Sequence, residues 1–303
     1  MTRLAVFAYS GTGYACLKLL LDRGERIVFL ATHRDDPAEK RWFPSVAELA
    51  KSRGIEPVLL ENPLDPQWTA RLRVAAPDLL LSLYYRRILP DEMLAVPPLG
   101  AFNMHGSLLP KFRGRAPVNW AVLKGETRTG ATLHAMTRRA DAGPIVDQEA
   151  VPIGPEDTAY DVQQRVDTAA VAILARRLEE LKAGTAPARP QEDAAATRFG
   201  RRRPEDGRID WSRPAREVHD LVRAVTHPFP GAFTEIFGPR TYVWRARLPG
   251  LAAHDTFPGQ VRAEEGRLHV ACGDDRYVEL LTLQDEGGPE QDAATFLAAR
   301  AHA

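Results

Sequence analysis

Leu4–Gly13, LAVFAYSGTG, decides the fold. Leu4 to Tyr9 is a continuous apolar run bounded by a glycine loop, and such a run suits a strand buried on both faces. Apolar residues at helical spacing follow through Leu17 to Leu21, and a second apolar run, Ile27 to Ala31, comes next. The order strand, loop, helix, strand requires a crossover, so the two strands pair in parallel and the connection is right-handed. The same loop raises the dinucleotide-binding fingerprint through Gly11 and Gly13. Cys16 stands where its third glycine would be and no acidic residue ends the second strand, so close packing of helix on strand accounts for the glycines and NAD is not expected.

Working outward, Thr32 to Pro44 is polar and charged, a surface loop near the strand ends. Ser45 and Glu48 have capping-box spacing for a helix that ends at Gly54. Val58 to Leu60 makes a short strand, and Asp65 with Pro66 opens a helix to about Ala75. The buried run from Asp78 to Tyr85 forms the next strand. Arg86, Arg87, Ile88 and Leu89 follow it at a carboxyl strand end, where open α/β sheets bind ligands; the arginines read equally well as a solvated edge. Leu99 to Met104 is another strand, Val118 to Leu123 a helix, and Thr132 to Met136 a strand with an antiparallel partner at Ile145 to Ile153. A helix from about Asp157 to Leu181 carries an apolar stripe at Val162, Val166, Ala169, Ile173 and Leu178, ended by Gly184 and Pro187.

The expected architecture is α/β: a Rossmann-like, doubly wound, mostly parallel sheet over residues 1–185, a linker over 186–204 where the composition shifts to TAPARPQEDAAATRFGRRRP, and a smaller domain over 205–303. Short strands with Pro and Gly punctuation make that last part an OB-like β-barrel. The triple arginine Arg201 to Arg203 could grip a phosphate or simply be solvated. With 303 residues, 44% hydrophobic and 26% charged, the chain has the composition of a globular protein with a buried core. Its two cysteines, Cys16 and Cys272, form no CxxC pair or metal-ligand spacing, so no metal is expected and reduced thiols point to the cytoplasm. No apolar stretch approaches a membrane span of about 18 residues.

Charge bears on partners. The 40 basic and 40 acidic residues cancel. Beyond Pro204, however, 11 arginines and no lysine face 16 acidic residues, a net −5. A module that gripped RNA would be basic, because phosphate contacts supply most of such affinity. Neither nucleic acid nor membrane is therefore expected as a partner.

The stretch from Asn103 to Asp141, NMHGSLLPKFRGRAPVNWAVLKGETRTGATLHAMTRRAD, holds the candidate chemistry. Asn103 and His105 are two apart, so on an extended strand end their side chains share a side. An amide donor beside an imidazole suits a tetrahedral intermediate: one group stabilises the oxyanion while the other moves a proton. A carboxylate such as Asp141 near the imidazole would fix its tautomer and favour its charged form. No GxSxG elbow is present, which favours direct transfer between two bound substrates. A satisfied core histidine is the competing account from residue types alone.

The string from His105 to Val146 resembles the signature of the folate-dependent formyltransferases. In detail it is most similar to the formyltransferase domains of the bifunctional polymyxin-resistance proteins that act on UDP-4-amino-4-deoxy-L-arabinose. VFAYSGTG, THRDDPAEKRWFPSVAELAKSRGI, LSLYYRRILPDEML, FGRRRPEDGRIDW and VRAVTHPFPGAFT share the likeness, which weakens after about Arg247. The resemblance implies Asn103, His105 and Asp141 as the catalytic trio, with Asn103 on the oxyanion, His105 handling protons, and Asp141 orienting His105 and raising its proton affinity. It places folate contacts on Arg87, Ile88 and Leu89, on Arg115, and on Thr137, Arg138, Arg139, Ala140 and Asp141. The implied donor is 10-formyltetrahydrofolate and the implied acceptor the 4-amino group of a UDP-linked aminopentose, for lipid A modification. The chain ends at Ala303, without room for the second, NAD-dependent decarboxylase domain, so a stand-alone enzyme or an isolated domain is expected and the hexamer of the longer protein is not implied. Rival readings are a methionyl-tRNA formyltransferase, which the acidic module and Arg115 disfavour, a formyltransferase for another nucleotide-linked aminosugar, a Rossmann-like oxidoreductase, and a scaffold.

Overall fold

The computed structural model describes residues 1–34, 41–238 and 240–301, so residues 35–40 of the loop expected at 32–44 lie outside the described residues. The chain divides into two compact units, Met1–Pro117 with Arg128–Pro152 and Gln163–Gly200, and Val118–Thr127 with Ile153–Val162 and Arg201–Ala303.

In the first unit the chain runs β1 (Arg3–Ala8), α1 (Ser10–Asp22), β2 (Arg26–Thr32), α2 (Val46–Ser52), β3 (Val58–Leu59), α3 (Pro66–Ala75), β4 (Leu79–Leu83), α4 (Asp91–Leu94), β5 (Ala101–His105) and the short β6 (Arg113–Gly114). After α5 (Pro117–Leu123), which belongs to the second unit from Val118 on, come β7 (Arg128–Ala135), β8 (Ile145–Pro152), the long α6 (Ala159–Ala183), its first turn also in the second unit, and the short β9 (Arg198–Phe199). The main sheet has the order β3-β2-β1-β4-β5-β7-β8. Its first five strands are parallel, while β7 pairs antiparallel with both β5 and β8. Strand order reverses between β1 and β4, so their carboxyl ends flank the crevice where such sheets bind ligands.

Side chains alternate across β1: Ala5 and Phe7 join a core with Phe29, Leu60, Leu80, Tyr85, Leu89 and Met93. Leu4, Val6 and Ala8 point the other way and are equally buried, so the sheet is covered on both faces. Gly13 has the packing role expected of it: a Cβ there would lie 2.7 Å from the Leu83 carbonyl oxygen. The caps also act as the residue types indicate. Ser45 Oγ accepts from Glu48 N at 3.3 Å, and Asp65 Oδ1 accepts from Gln67 N at 3.0 Å.

The stretch expected as a linker, largely exposed, touches the rest of the first unit at several points up to Gly200. β9 pairs in parallel with β6, Phe199 stacks on Phe112 at 5.2 Å, and Arg189 and Ile145 exchange backbone hydrogen bonds of 2.7 and 2.9 Å. These are tertiary contacts, which a Pro- and Ala-rich composition does not announce.

The second unit contains α7 (Ala215–Val225), then β10 (Ala232–Thr234), β11 (Thr241–Arg247), β12 (Val261–Glu264), β13 (Arg267–Ala271), β14 (Tyr277–Asp285), β15 (Glu290–Asp292) and α8 (Ala293–Ala301). All six strands pair antiparallel, five of them in the order β10-β11-β14-β13-β12 and β15 beside β14 off that path. The long β14 gives one edge to β11 and shares the other between β13 and β15, and Val243, Leu268, Val270, Val278, Leu280, Leu283 and Phe296 are buried in this unit. This is the separate, smaller antiparallel domain expected at the carboxyl end. Among the described residues no helix is long and apolar enough to cross a membrane.

Candidate active site

β5 carries Asn103 and His105 to the carboxyl end of the sheet, beside β7, which runs the opposite way. In this register Asn103 faces His134 and His105 faces Thr132. Asn103 Nδ2 lies 3.1 Å from His134 Nε2. His134 Nδ1 lies 2.8 Å from its neighbour's carbonyl, Ala135 O, so that nitrogen bears the proton and Nε2 offers its lone pair to the Asn103 amide. Burial pushes His134 down to about 4, against the attraction of Asp141, which keeps the ring in this accepting state. The amide is thereby oriented, with its second N–H left to point elsewhere.

Asp141 arrives by a different route. Past β7 the chain turns through Thr137–Asp141 and returns to β8, with Asp141 at φ 58°. Its Oδ2 accepts from Gly114 N at 2.9 Å, while Oδ1 lies 3.6 Å from His105 Nδ1 and 3.7 Å from His134 Nε2. Burial pushes the Asp141 carboxyl up, but His105, His134 and the Gly114 N–H outweigh it, and the group sits below the usual carboxylate range. His105 Nε2 lies 2.9 Å from Phe112 O, which assigns a proton to that nitrogen. Asn103, His105 and Asp141 are thus brought into one cluster, with His105 buried and the other two half-buried.

The loop between His105 and Arg115 is pinned from below. Thr132 Oγ1 donates to Ser107 O at 2.6 Å and accepts from Leu109 N at 3.2 Å, and Gln148 Nε2 donates to Leu109 O at 2.8 Å. Gln191 holds the Asp141 loop: its Nε2 donates to Asp141 O at 2.9 Å and to Gly143 O at 2.8 Å, and its Oε1 accepts from buried Arg113 Nη2 at 2.8 Å.

The remaining expected site residues spread around this cluster. Arg87 and Ile88 are exposed at the exit of β4, whereas Leu89 is only 3% exposed and belongs to the core. Leu89 can therefore serve a ligand through its backbone alone; its side chain anchors the segment. Arg115 is exposed past β6. Thr137, Arg138 and Arg139 are exposed and Ala140 is half-buried; Thr137 Oγ1 donates to Arg139 O at 3.0 Å, and Arg139 pairs with Asp193 at 2.9 Å. Sequence reasoning passed over His134 and Gln191. Alternation along Thr132–Met136 could have marked the first, since it faces Asn103 across the ladder; nothing local marks the second.

Two family models match the chain, "Formyl transferase" over residues 4–178 and "Formyl transferase, C-terminal domain" over residues 202–301. Among solved structures, an N-formyltransferase from Helicobacter canadensis, in complex with folinic acid and dTDP-3-aminofucose, is similar at 20% identity and TM-score 0.71, covering 92% of this chain and 99% of that one. WlaRD, a sugar 3N-formyl transferase solved with dTDP and 5-N-formyl-THF, gives 18% identity and TM-score 0.67, over 92% and 97% of the two chains. HypX from Aquifex aeolicus, in complex with tetrahydrofolic acid, gives 19% and 0.65; the match covers 98% of this chain and 47% of HypX. At these identities the likeness is one of fold.

Proposed function

Because this chain belongs to the formyl transferase family, we propose that it transfers a formyl group from 10-formyltetrahydrofolate to the amine of a nucleotide-linked aminosugar, in the cytoplasm. The observation that carries the reading is the cluster in which one carboxylate, Asp141, lies 3.6 and 3.7 Å from the rings of His105 and His134, while His134 orients the amide of Asn103. For the finer choice of acceptor, the likeness of the LSLYYRRILPDEML and THRDDPAEKRWFP segments to the polymyxin-resistance domains supports UDP-4-amino-4-deoxy-L-arabinose, and with it a role in lipid A modification. The similarity to N-formyltransferases solved with dTDP-3-aminofucose and with dTDP supports the wider class.

The residues suit the donor. Arg87 and Arg115 supply exposed cations for its carboxylates, the backbone from Arg86 to Leu89 offers polar groups at a strand exit, and Thr137 to Asp141 supplies a second polar edge. The donor carries its formyl carbon on N10; the unprotonated amine of the acceptor attacks that carbon, the C–N10 bond then breaks, and tetrahydrofolate leaves as N10 takes a proton and the new amide nitrogen loses one. The free N–H of Asn103 is preorganised to meet charge developing on the formyl oxygen. His105 holds and moves protons: Nε2–H rests on Phe112 O, and a proton reaching Nδ1 would lie between the ring and Asp141 Oδ1. Burial of His105 and His134 keeps bulk water from that side of the site.

The test incubates the protein with 10-formyltetrahydrofolate and, separately, UDP-4-amino-4-deoxy-L-arabinose, a dTDP-linked aminosugar and charged initiator tRNA. A formylated sugar nucleotide is expected; exclusive formylation of the tRNA would overturn the reading. His105→Ala should lower turnover by about 10²–10⁴ with its circular-dichroism spectrum intact, and near-normal turnover would remove His105 from the reaction.

A further inference from the structure

The exits of the four parallel strands β1 to β4 converge on one imidazole. His33, next after β2, stacks on Tyr85 beyond β4 with ring centroids 4.1 Å apart and planes at 13°. It meets Tyr9, just past β1, edge-on at 5.0 Å. Its Nε2 accepts the backbone N–H of Arg86 at 3.0 Å. Tyr85 in turn donates its hydroxyl to Leu60 O, past β3, at 2.6 Å, and the Arg86 guanidinium lies over the Tyr9 ring at 4.7 Å. Tyr84 turns the corner at φ 60°, a backbone state a tyrosine adopts only when its surroundings enforce it.

Resting on the reading of Arg86 to Leu89 as the donor-binding edge, we propose that His33 is a positioning residue for that edge, setting donor affinity through its hydrogen bond to Arg86 and its stack on Tyr85. Leu89, locked in the core, fixes one end of the segment; His33 fixes the other. The choice of histidine follows from the two contacts together. A phenyl ring would supply the plane without the acceptor, and a glutamine the acceptor without the plane. The acceptor requires an unprotonated Nε2. Burial pushes His33 down to about 4, and the cations of Arg86, Arg87 and Arg115 act in the same direction; among the described residues, the phenols of Tyr9 and Tyr85 also face the ring. Arg86 is exposed, so losing the bond leaves its N–H to water, and the consequence falls on the segment's geometry rather than on the fold.

The experiment compares His33→Phe, His33→Gln and wild type in the full chain, measuring kcat, KM for both substrates, and the Kd for 5-formyltetrahydrofolate by calorimetry. His33→Phe is expected to raise the donor KM and the Kd about tenfold, with kcat and acceptor KM within about twofold of wild type. His33→Gln is expected to recover most of that loss. Wild-type donor constants in His33→Phe would overturn the proposal. So would a parallel fall of kcat, donor affinity and thermal midpoint in both variants, which marks a purely structural residue. A wild-type protein that binds no 5-formyltetrahydrofolate would instead remove the functional reading, and the proposal with it.

Discussion

Asn103 is useful to an oxyanion only if its amide faces the right way, and His134 is what turns it. With Nδ1 committed to Ala135 O, His134 Nε2 can only accept, so the atom 3.1 Å away must be the Asn103 nitrogen. Removing Asn103 should cost about 10²–10³ in kcat, the usual loss for one oxyanion donor. His134→Phe, which fills the same space without an acceptor, should cost less, on the order of tenfold, because the amide is freed rather than deleted. The double variant Asn103→Ala/His134→Phe should be no slower than Asn103→Ala alone, since His134 acts only through Asn103. Additive losses in kcat would show that His134 has a separate part in the reaction. Asn103 and His105 were legible from two-residue spacing at a strand end. His134 was only half so: alternation along Thr132–Met136 sets its face of the strand, but its partnership with Asn103 depends on the ladder register of β5 against β7.

At the scale of elements, α6 was legible as a helix from its apolar stripe, but one polar residue on it does something periodicity does not predict. Asp167 Oδ1 accepts the Thr12 hydroxyl and Gln163 Nε2, the latter at 2.7 Å, and thereby ties α6 to the start of α1 at the sheet's switch point. Burial pushes its carboxyl up, and the two hydrogen bonds offset this only in part. A folded-state value above the unfolded one means the stabilisation is full below the ordinary carboxylate range and is lost as pH rises through the folded value. Asp167→Asn keeps the accepting oxygen and drops the charge, so its thermal midpoint should exceed wild type by a few degrees near pH 7.5, and the gap should close as pH falls. A wild type that is the more stable at neutral pH would mean that the charge itself is required. The loops were less legible than the helices. Ser45 and Asp65 announce their caps because the cap chemistry is local, whereas Gln191 reaches across to Asp141 O, Gly143 O and Arg113 from a Pro- and Ala-rich stretch that reads as free chain.

At the scale of the molecule, Val118–Thr127 and Ile153–Val162 group with Arg201–Ala303 in the second unit although they lie far earlier in the chain, a grouping that composition along the chain does not reveal. Arg223 is why. Four per cent exposed, it pairs with Asp220 at 2.7 Å and donates to Asp157 O at 3.0 Å, so a buried charge on α7 claims a carbonyl from one of those earlier segments. Its charge is consumed internally. The rest of that part of the chain carries the −5 excess beyond Pro204, which makes it a poor partner for a polyanion. A nucleotide sugar presents two phosphates, whereas a tRNA would engage many. Raising salt from about 50 to 200 mM should therefore change the acceptor KM by less than about tenfold, against the 10³–10⁵ expected for six to ten phosphate contacts. The measurement is a KM series in potassium chloride at fixed, saturating donor. A steep loss of acceptor affinity would mean that a larger polyanion is bound, and the reasoning from charge would fail even if the formyl chemistry held.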